Sequence, residues 1–532
     1  ITLPNGSYSI GKGAFNSCTK LETVQLSDNT VLLGLSEAPF EKCNRMTAFE
    51  ISANNQNYKV IDGLLLNSDC TELVAVPFGK TGISQASLPS TVKSLASGVF
   101  SGIRGITEWN FKGFTSVGAY AFAGSGLTTV DLNGMTELPE GIFSGCDKLT
   151  TVTGTESLVT IGKSAFAACL KLNSLSLPAL KNIEANAFAS SGLTSITAPL
   201  TERVGMSAFE STKLAEINFP HLTTLDYRAF ATMPELRKVI LGDVTSMGSY
   251  VFSACPKLEE ATFGEGTTIV GSFAFYDGST VSNLTRVTLP DSVKEIGSHA
   301  FAATDITEIN LRNVVTVGEA AFDGCNLLQR ANLSSAVTIG DFAFRSTALT
   351  SVDLSNNETI GARAFYGVPL ESVTFGKLRV LGEHAFAKTL LKTVTLPETF
   401  ENATYDYRWN IYDEKGRVTE ERVRRIPCYG AGAFSEIASL KEILVLSKKG
   451  VYISLDGVLY VNNENGLTLL QYPLARSGSS YKVADGTVAI GASAFECPEK
   501  YENENALKSV EFPYTLKQIG EYAFYRSKVS DY

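Results

Sequence analysis

Apolar and polar residues alternate along this 532-residue chain in short bursts that return at a nearly constant interval. LTTVDL (127–132), LNSLSLP (172–178), LAEINFP (214–220), LTRVTLP (284–290) and LKTVTLP (391–397) each carry apolar residues at the first, fourth and sixth places with polar residues between them. Alternation of period two predicts a half-buried strand. The Pro that often follows has no N–H for a sheet ladder and ends it. A second pattern, Gly-x-x-Ala-Phe, lies between the bursts: IGKGAFNSC (10–18), IGKSAFAAC (161–169), VGEAAFDGC (317–325) and IGASAFEC (490–497). It reads as a turn leading into about one helical turn, with Gly supplying unusual backbone angles and Ala permitting close approach of neighbouring coils.

Together the two patterns form a repeat. The Phe recurs at 15, 40, 100, 122, 143, 166, 188, 209, 230, 252, 275, 301, 322, 344, 365, 386, 434, 495 and 524. From Phe100 to Phe386 every step is 21 to 23 residues except the 26 before Phe301. A unit of about 22 residues cannot bury its own apolar face, whereas stacked units can. The predicted class is therefore an α/β repeat. Residues 1–532 form a single solenoid of about 19 coils, with the Phe column as an internal aromatic spine.

L-x-x-V-x-L-P followed by V-x-x-I-G-x-x-A-F-x-x-C resembles the BspA-like leucine-rich repeat of bacterial surface proteins, over essentially the whole chain. The resemblance implies a right-handed, curved leucine-rich-repeat solenoid with a parallel sheet on the concave face and short helical turns opposite. It also implies export to the surface of a gut or oral bacterium and, for some members, adhesion to host matrix proteins or to other bacteria. It brings no catalytic or binding motif that could be transferred residue by residue.

The third place of the strand block carries Glu216, Lys238, Glu260, Arg286, Glu308 and Arg330 in successive coils. In-register parallel strands bring equivalent residues about 4.8 Å apart, where alternating charges attract. The favoured reading is a surface ion-pair ladder, each pair worth little; the alternative is a ligand-reading stripe. On either side the column turns to hydroxyls, at Thr129, Thr151, Ser174 and Ser195 and again at Ser351, Ser372 and Thr393.

Insertions interrupt the period at about 50–90, 398–430 and 447–485. The first and last resemble each other, NYKVIDGLLLNSDCTELVAVP (57–77) against VYISLDGVLYVNNENGLTLLQYP (451–473), and both read as β-hairpins extending a coil. Asp62-Gly63 and Asp456-Gly457 lack the further oxygen ligands of a calcium loop. The 398–430 segment has no relative in the chain and gathers Tyr405, Tyr407, Trp409 and Tyr412. Such side chains suit sugar stacking and protein hot spots, although alternating Tyr405, Tyr407 and Trp409 also fit the inner face of a hairpin packed on the coil beneath. Trp109, at an inward strand position, belongs to the core.

Composition narrows the chemistry. A net charge of −10 with pI near 5.2 argues against nucleic acid as a partner. No apolar run reaches the length of a membrane-spanning helix, and Ile1 opens no signal sequence, so the chain reads as a mature or trimmed segment. Three His and no C-x-x-C pair leave little for a metal or a relay. His299 and His384 occupy equivalent places four coils apart, too far to share an ion. Six of the nine Cys fall three residues after the anchor Phe, where other coils have Ser or Thr, and read as small packed groups rather than disulfides. Neither a cofactor nor catalysis is expected. The reading is a surface protein that binds a protein ligand through the solenoid face or the 398–430 loop; alternatives are carbohydrate capture by the loop aromatics, or a structural spacer.

Overall fold

The computed structural model describes residues 1–11, 13–35, 39–276, 278, 283–402, 404–412, 418–448, 450–500 and 507–530. The chain divides into two compact units, Ile1–Gly242 and Asp243–Tyr532. Both are β-solenoids of stacked parallel strands.

In the first unit the strand blocks pair in register from coil to coil. Glu108–Asn110, Thr129–Asp131 and Thr151–Thr153 form one run, with Trp109 opposite Val130 and Val130 opposite Val152. Ser174–Ser176 pairs with Ser195–Thr197, and Glu216–Phe219 with Lys238–Leu241. A second parallel sheet, not anticipated, runs through the two-residue strands Glu137–Leu138, Thr160–Ile161, Asn182–Ile183, Arg203–Val204 and Thr224–Leu225. Two residues are too few to show a period, which is why the pattern concealed them. The second unit repeats the arrangement, from Ile269–Val270 through Val380–Leu381 in its own two-residue sheet.

The Gly-x-x-Ala-Phe segment is not helical. Among the described residues the helical content is one short 3-10 turn, Gln85–Ser87. Around Phe166, the Ala165 and Ala167 N–H groups donate within their own coil, to Gly162 and Ser164 carbonyls, both at 3.1 Å. The Ser164, Phe166 and Ala168 N–H groups instead donate to Ala185, Ala187 and Ala189 of the next coil, at 2.8–2.9 Å. A helix would keep all of these bonds within one segment. Here every second donor is given to the neighbour, so this side too is a coil-to-coil ladder.

The geometry that permits this is left-handed backbone two residues before and two after the Phe. Ser164 and Ala168 both have φ of 55°, and the same holds at Asn186, Ser190, His299, Ala303, His384 and Lys388. The Gly four places before the Phe has ordinary φ. Its role is clearance: a Cβ at Gly340 would lie 2.6 Å from the Glu319 backbone nitrogen, and one at Gly318 2.6 Å from that of Ser298. The expectation that this Gly supplies unusual backbone angles is thus corrected. Those angles fall to its neighbours two places on.

The Phe column is the core of each unit. Phe166, Phe188, Phe209 and Phe230 are fully buried and stack at centroid spacings of 5.1–5.5 Å. In the second unit Phe252, Phe275, Phe301, Phe322, Phe344, Phe365 and Phe386 continue at 5.0–5.4 Å with ring planes within 14°. Near-parallel rings at this spacing are offset stacks, each worth about 0.5–1.5 kcal/mol beyond area burial. Trp109 is 3% exposed and packs 4.9 Å from Phe100, as its inward strand position implied.

Candidate functional site

The distinctive element of the second unit is an antiparallel hairpin, Thr404–Tyr412 with Val418–Pro427. It is looped out between two coils that pair as though it were not there. Thr393–Leu396 lies in parallel register with Glu442–Val445, Phe386 stacks 5.7 Å from Phe434, and Leu381 bridges Tyr429. Along the hairpin Tyr405 is opposite Ile426, Tyr407 opposite Arg424, Trp409 opposite Arg422 and Tyr412 opposite Val418. The side chains of Tyr405, Tyr407, Trp409 and Tyr412 lie outside the described part of the structure, as do residues 413–417. The hairpin itself agrees with the strand alternation read from the sequence.

The charged column is placed on outward strand positions, exposed except at the half-buried Glu260. Glu216 is directly opposite Lys238 in the first unit. In the second unit Glu260 is opposite Arg286 with a 2.5 Å contact, and Glu308 opposite Arg330 at 3.4 Å. Arg330 and Glu308 are 81% and 67% exposed, so solvent screens them and each such pair contributes at most a few tenths to about 1 kcal/mol. The flanking hydroxyls stand in the same register, Thr129 opposite Thr151, Ser174 opposite Ser195 and Ser351 opposite Ser372.

The two related insertions are three-stranded meanders rather than simple hairpins. Tyr58–Ile61, Leu64–Asn67 and Glu72–Ala75 run antiparallel, and the third strand then joins Ser94–Leu95 in parallel. Tyr452–Leu455, Val458–Asn463 and Gly466–Gln471 do the same before Thr487–Ile490. Each Asp-Gly turn has both residues at positive φ, 49° and 74° at Asp62-Gly63 and 51° and 78° at Asp456-Gly457, the backbone of a two-residue hairpin turn. A basic residue missed in the sequence holds each turn. Lys80 lies 3.0 Å from Asp62, and Arg476 contacts the Asp456 carboxylate at 2.5 Å and its carbonyl. Both stand three residues after the Pro that closes the insertion, Pro77 or Pro473, and that shared spacing was the available signal.

In several coils the anchor-plus-three residue caps a Phe carbonyl, while the Ser191 and Thr212 hydroxyls are buried without a partner among the described residues. The Cys43, Cys146, Cys169 and Cys325 thiols donate to Phe15, Phe122, Phe143 and Phe301 carbonyls of the preceding coil at 3.0–3.2 Å. Thr304, Thr347 and Thr389 instead donate to the Phe of their own coil. All nine Cys are free. Burial pushes the Cys146 and Cys325 thiols up to about 11, far from reactive thiolates at neutral pH.

A second aromatic file runs two places before the Phe: Tyr250, Phe273 and His299 stack at 4.6 Å with planes within 7°. This accounts for His299 as a packed ring, while His384 faces Ser435, Nδ1 to Oγ at 3.1 Å. Among the described residues, no group of three or more His, Cys, Asp or Glu is arranged to hold a metal ion. No helix there is long and apolar enough to cross a membrane.

Comparison with known proteins agrees with this architecture. A family model described as a BspA type leucine rich repeat region matches in six copies, over residues 1–69, 71–194, 181–283, 279–368, 337–451 and 478–532. Among solved structures, a leucine-rich repeat protein from Bacteroides ovatus is similar at 22% identity, over 74% of this chain and 83% of that one, with a TM-score of 0.43. A leucine rich cell surface protein from Faecalibacterium prausnitzii is similar at 22% identity, over 60% and 70%, with a TM-score of 0.33. A leucine-rich repeat protein from Eubacterium ventriosum is similar at 22% identity, over 38% and 80%, with a TM-score of 0.29. No curated protein matches the chain.

Proposed function

Because the chain belongs to the BspA-type leucine-rich repeat family, we propose that it is a non-catalytic binding protein of a bacterial cell surface, gripping a protein ligand through the 404–427 hairpin or the exposed face of the strand blocks. The observation that carries this reading is the looping-out of the hairpin. The coils on either side of it pair strand to strand and ring to ring without it, and loops set on a rigid scaffold are where binding residues concentrate. Tyr405, Tyr407, Trp409 and Tyr412 are the contact residues of this reading. Glu216 and Lys238 of the first unit, and Glu260, Arg286, Glu308 and Arg330 of the second, serve it as secondary contacts that orient a charged partner.

The test is binding of immobilised host matrix proteins and of bacterial surface extracts to wild type and to a chain lacking 404–427. Loss of binding in the deletion supports the hairpin. Equal binding by both moves the contact to the strand face, where reversing Glu260 and Arg286 separately decides the matter. A second reading, carbohydrate capture, draws on the alternate spacing of Tyr405, Tyr407 and Trp409 along one strand. For that reading, Trp409→Ala on a glycan array should lose signal by about tenfold or more if one stacked ring is removed. An array blank for wild type excludes it.

A further inference from the structure

One cysteine of the anchor-plus-three column stands apart. Of the six, Cys43, Cys146, Cys169, Cys255 and Cys325 are buried, whereas Cys18 is exposed. Its neighbour in the next coil is Cys43, the equivalent residue after Phe40. The two coils are held in register at this point: the Phe15 and Ser17 N–H groups donate to the Pro39 and Glu41 carbonyls, both at 2.8 Å. Equivalent residues of paired coils lie about 4.8 Å apart, inside the Cα separation of about 4.4–6.8 Å that a disulfide spans.

The two residues converge on one atom. The Phe15 carbonyl accepts from the Cys18 N–H and from the Cys43 thiol, both at 3.0 Å, and the Cys18 N–H also faces the Cys43 sulfur. Two other junctions have the same arrangement with a hydroxyl where Cys18 stands. Ser125 and Cys146 meet over the Phe122 carbonyl, and Thr304 and Cys325 over the Phe301 carbonyl. In both, the hydroxyl oxygen lies 3.4 Å from the sulfur of the next coil. Thr304 reaches that place by turning its hydroxyl onto the carbonyl of its own Phe, as Thr347 and Thr389 do. A thiol at Cys18 in that rotamer is set against the Cys43 sulfur, and a small further rotation closes the gap to a bond of about 2.0 Å.

We propose that Cys18 and Cys43 are a disulfide site: an oxidant of the small-molecule disulfide class joins them and so fastens the Phe15 coil covalently to the Phe40 coil. Exposed Cys18 is reached first. Its thiolate attacks one sulfur of the oxidant, forming a mixed disulfide and releasing a thiolate that takes up the proton Cys18 gave. The Cys43 thiolate then attacks the Cys18 sulfur and expels the second small thiolate, which takes the Cys43 proton. Two protein thiols are oxidised and one small disulfide is reduced to two thiols. Cys43 is fully buried, and burial pushes its thiol up, which suits it to an attack on a sulfur already beside it rather than on one in solution. Cys146 and Cys169 stand in the same register, but both are fully buried and the Cys146 thiol is turned to Phe122 and Ser125 of the preceding coil. Phe15 is only half-buried, unlike Phe166 and Phe188 further along the unit, so its coil has less packing to resist local opening and more to gain from a cross-link.

Incubating the full chain with oxidised glutathione and digesting it without reductant tests this. Mass spectrometry should find the peptides of Cys18 and Cys43 joined with the loss of two hydrogens, and Cys146 and Cys169 still reduced. Hydrogen exchange should find the amides of 15–21 and 40–46 about tenfold or more better protected than in the reduced chain, those around Phe188 and Phe209 unchanged, and the gain reversed by dithiothreitol. Cys43→Ser, which installs the residue that Ser125 and Ser191 supply in other coils, should leave Cys18 capped by glutathione, and Cys18→Ser should leave Cys43 unmodified. Wild type that ends with glutathione on Cys18 and no joined peptide, or with two copies joined through Cys18, overturns the proposal. A joined pair without the gain in protection overturns the fastening. These wild-type measurements decide even where a variant fails to fold.

Discussion

At the scale of single residues, two kinds of small residue share one motif and do different work. The Gly four places before the Phe clears space for the preceding coil, and the positions two before and two after the Phe bear left-handed strain. Gly340→Ala should destabilise its unit by roughly 1–3 kcal/mol or more, because the added methyl is driven into Glu319 backbone. Gly11→Ala is the control. No atom lies within 4 Å of a Cβ there, so denaturant midpoints should shift for the first substitution and scarcely for the second. The opposite sign is expected at Ala168, whose φ of 55° suits Gly better than Ala. Ala168→Gly should stabilise by about 0.5–1 kcal/mol, read as a rise in midpoint at unchanged slope. Coils with Gly at those strained places, such as Gly141 and Gly145 around Phe143, carried this signal in the sequence. It went unread because the more regular Gly drew the conformational explanation.

Elements here are short, and their length explains which of them could be foreseen. The strand blocks have a period-two pattern over six residues and were legible. Two-residue strands such as Thr160–Ile161 exist only because the neighbouring coil offers Glu137–Leu138 on one side and Asn182–Ile183 on the other. The supposed helical turn failed for the same reason, since its alternate N–H groups find acceptors in the next coil that no local pattern displays. Insertions were legible as excursions from the period, with the Asp-Gly turn and the two apolar strands after it, but the strand before that turn and the basic clamp, Lys80 or Arg476, were not. The 404–427 hairpin makes its expectation at this scale. Because Thr393–Leu396 and Glu442–Val445 pair directly, its removal should leave the melting temperature within about 2 °C of wild type, as for a surface change of no more than about 0.5 kcal/mol. A larger fall would mean that the hairpin is part of the packing rather than an addition to it.

For the molecule as a whole, stability is a sum of coil and nearest-neighbour terms. Excising residues 167–188 joins Phe166 to Ala189 in phase and should leave a folded first unit with unchanged circular dichroism per residue. Removing only 167–177 breaks the phase and should abolish cooperative unfolding of that unit. The repeat is what the sequence determined by itself: a Phe every 21 to 23 residues, a half-buried strand after it and an inward Trp109 follow from local pattern, because a unit too small to bury its own apolar face must stack. The pairing of Glu260 with Arg286 was legible from that repeat as well, since in-register strands set equivalent residues of neighbouring coils side by side. Tertiary structure alone decided where each backbone N–H goes and that the Phe segment is a ladder rather than a helix. Those outcomes depend on which atoms of one coil face the next. Contacts between coils are a property of the stack, and no single coil's sequence contains them.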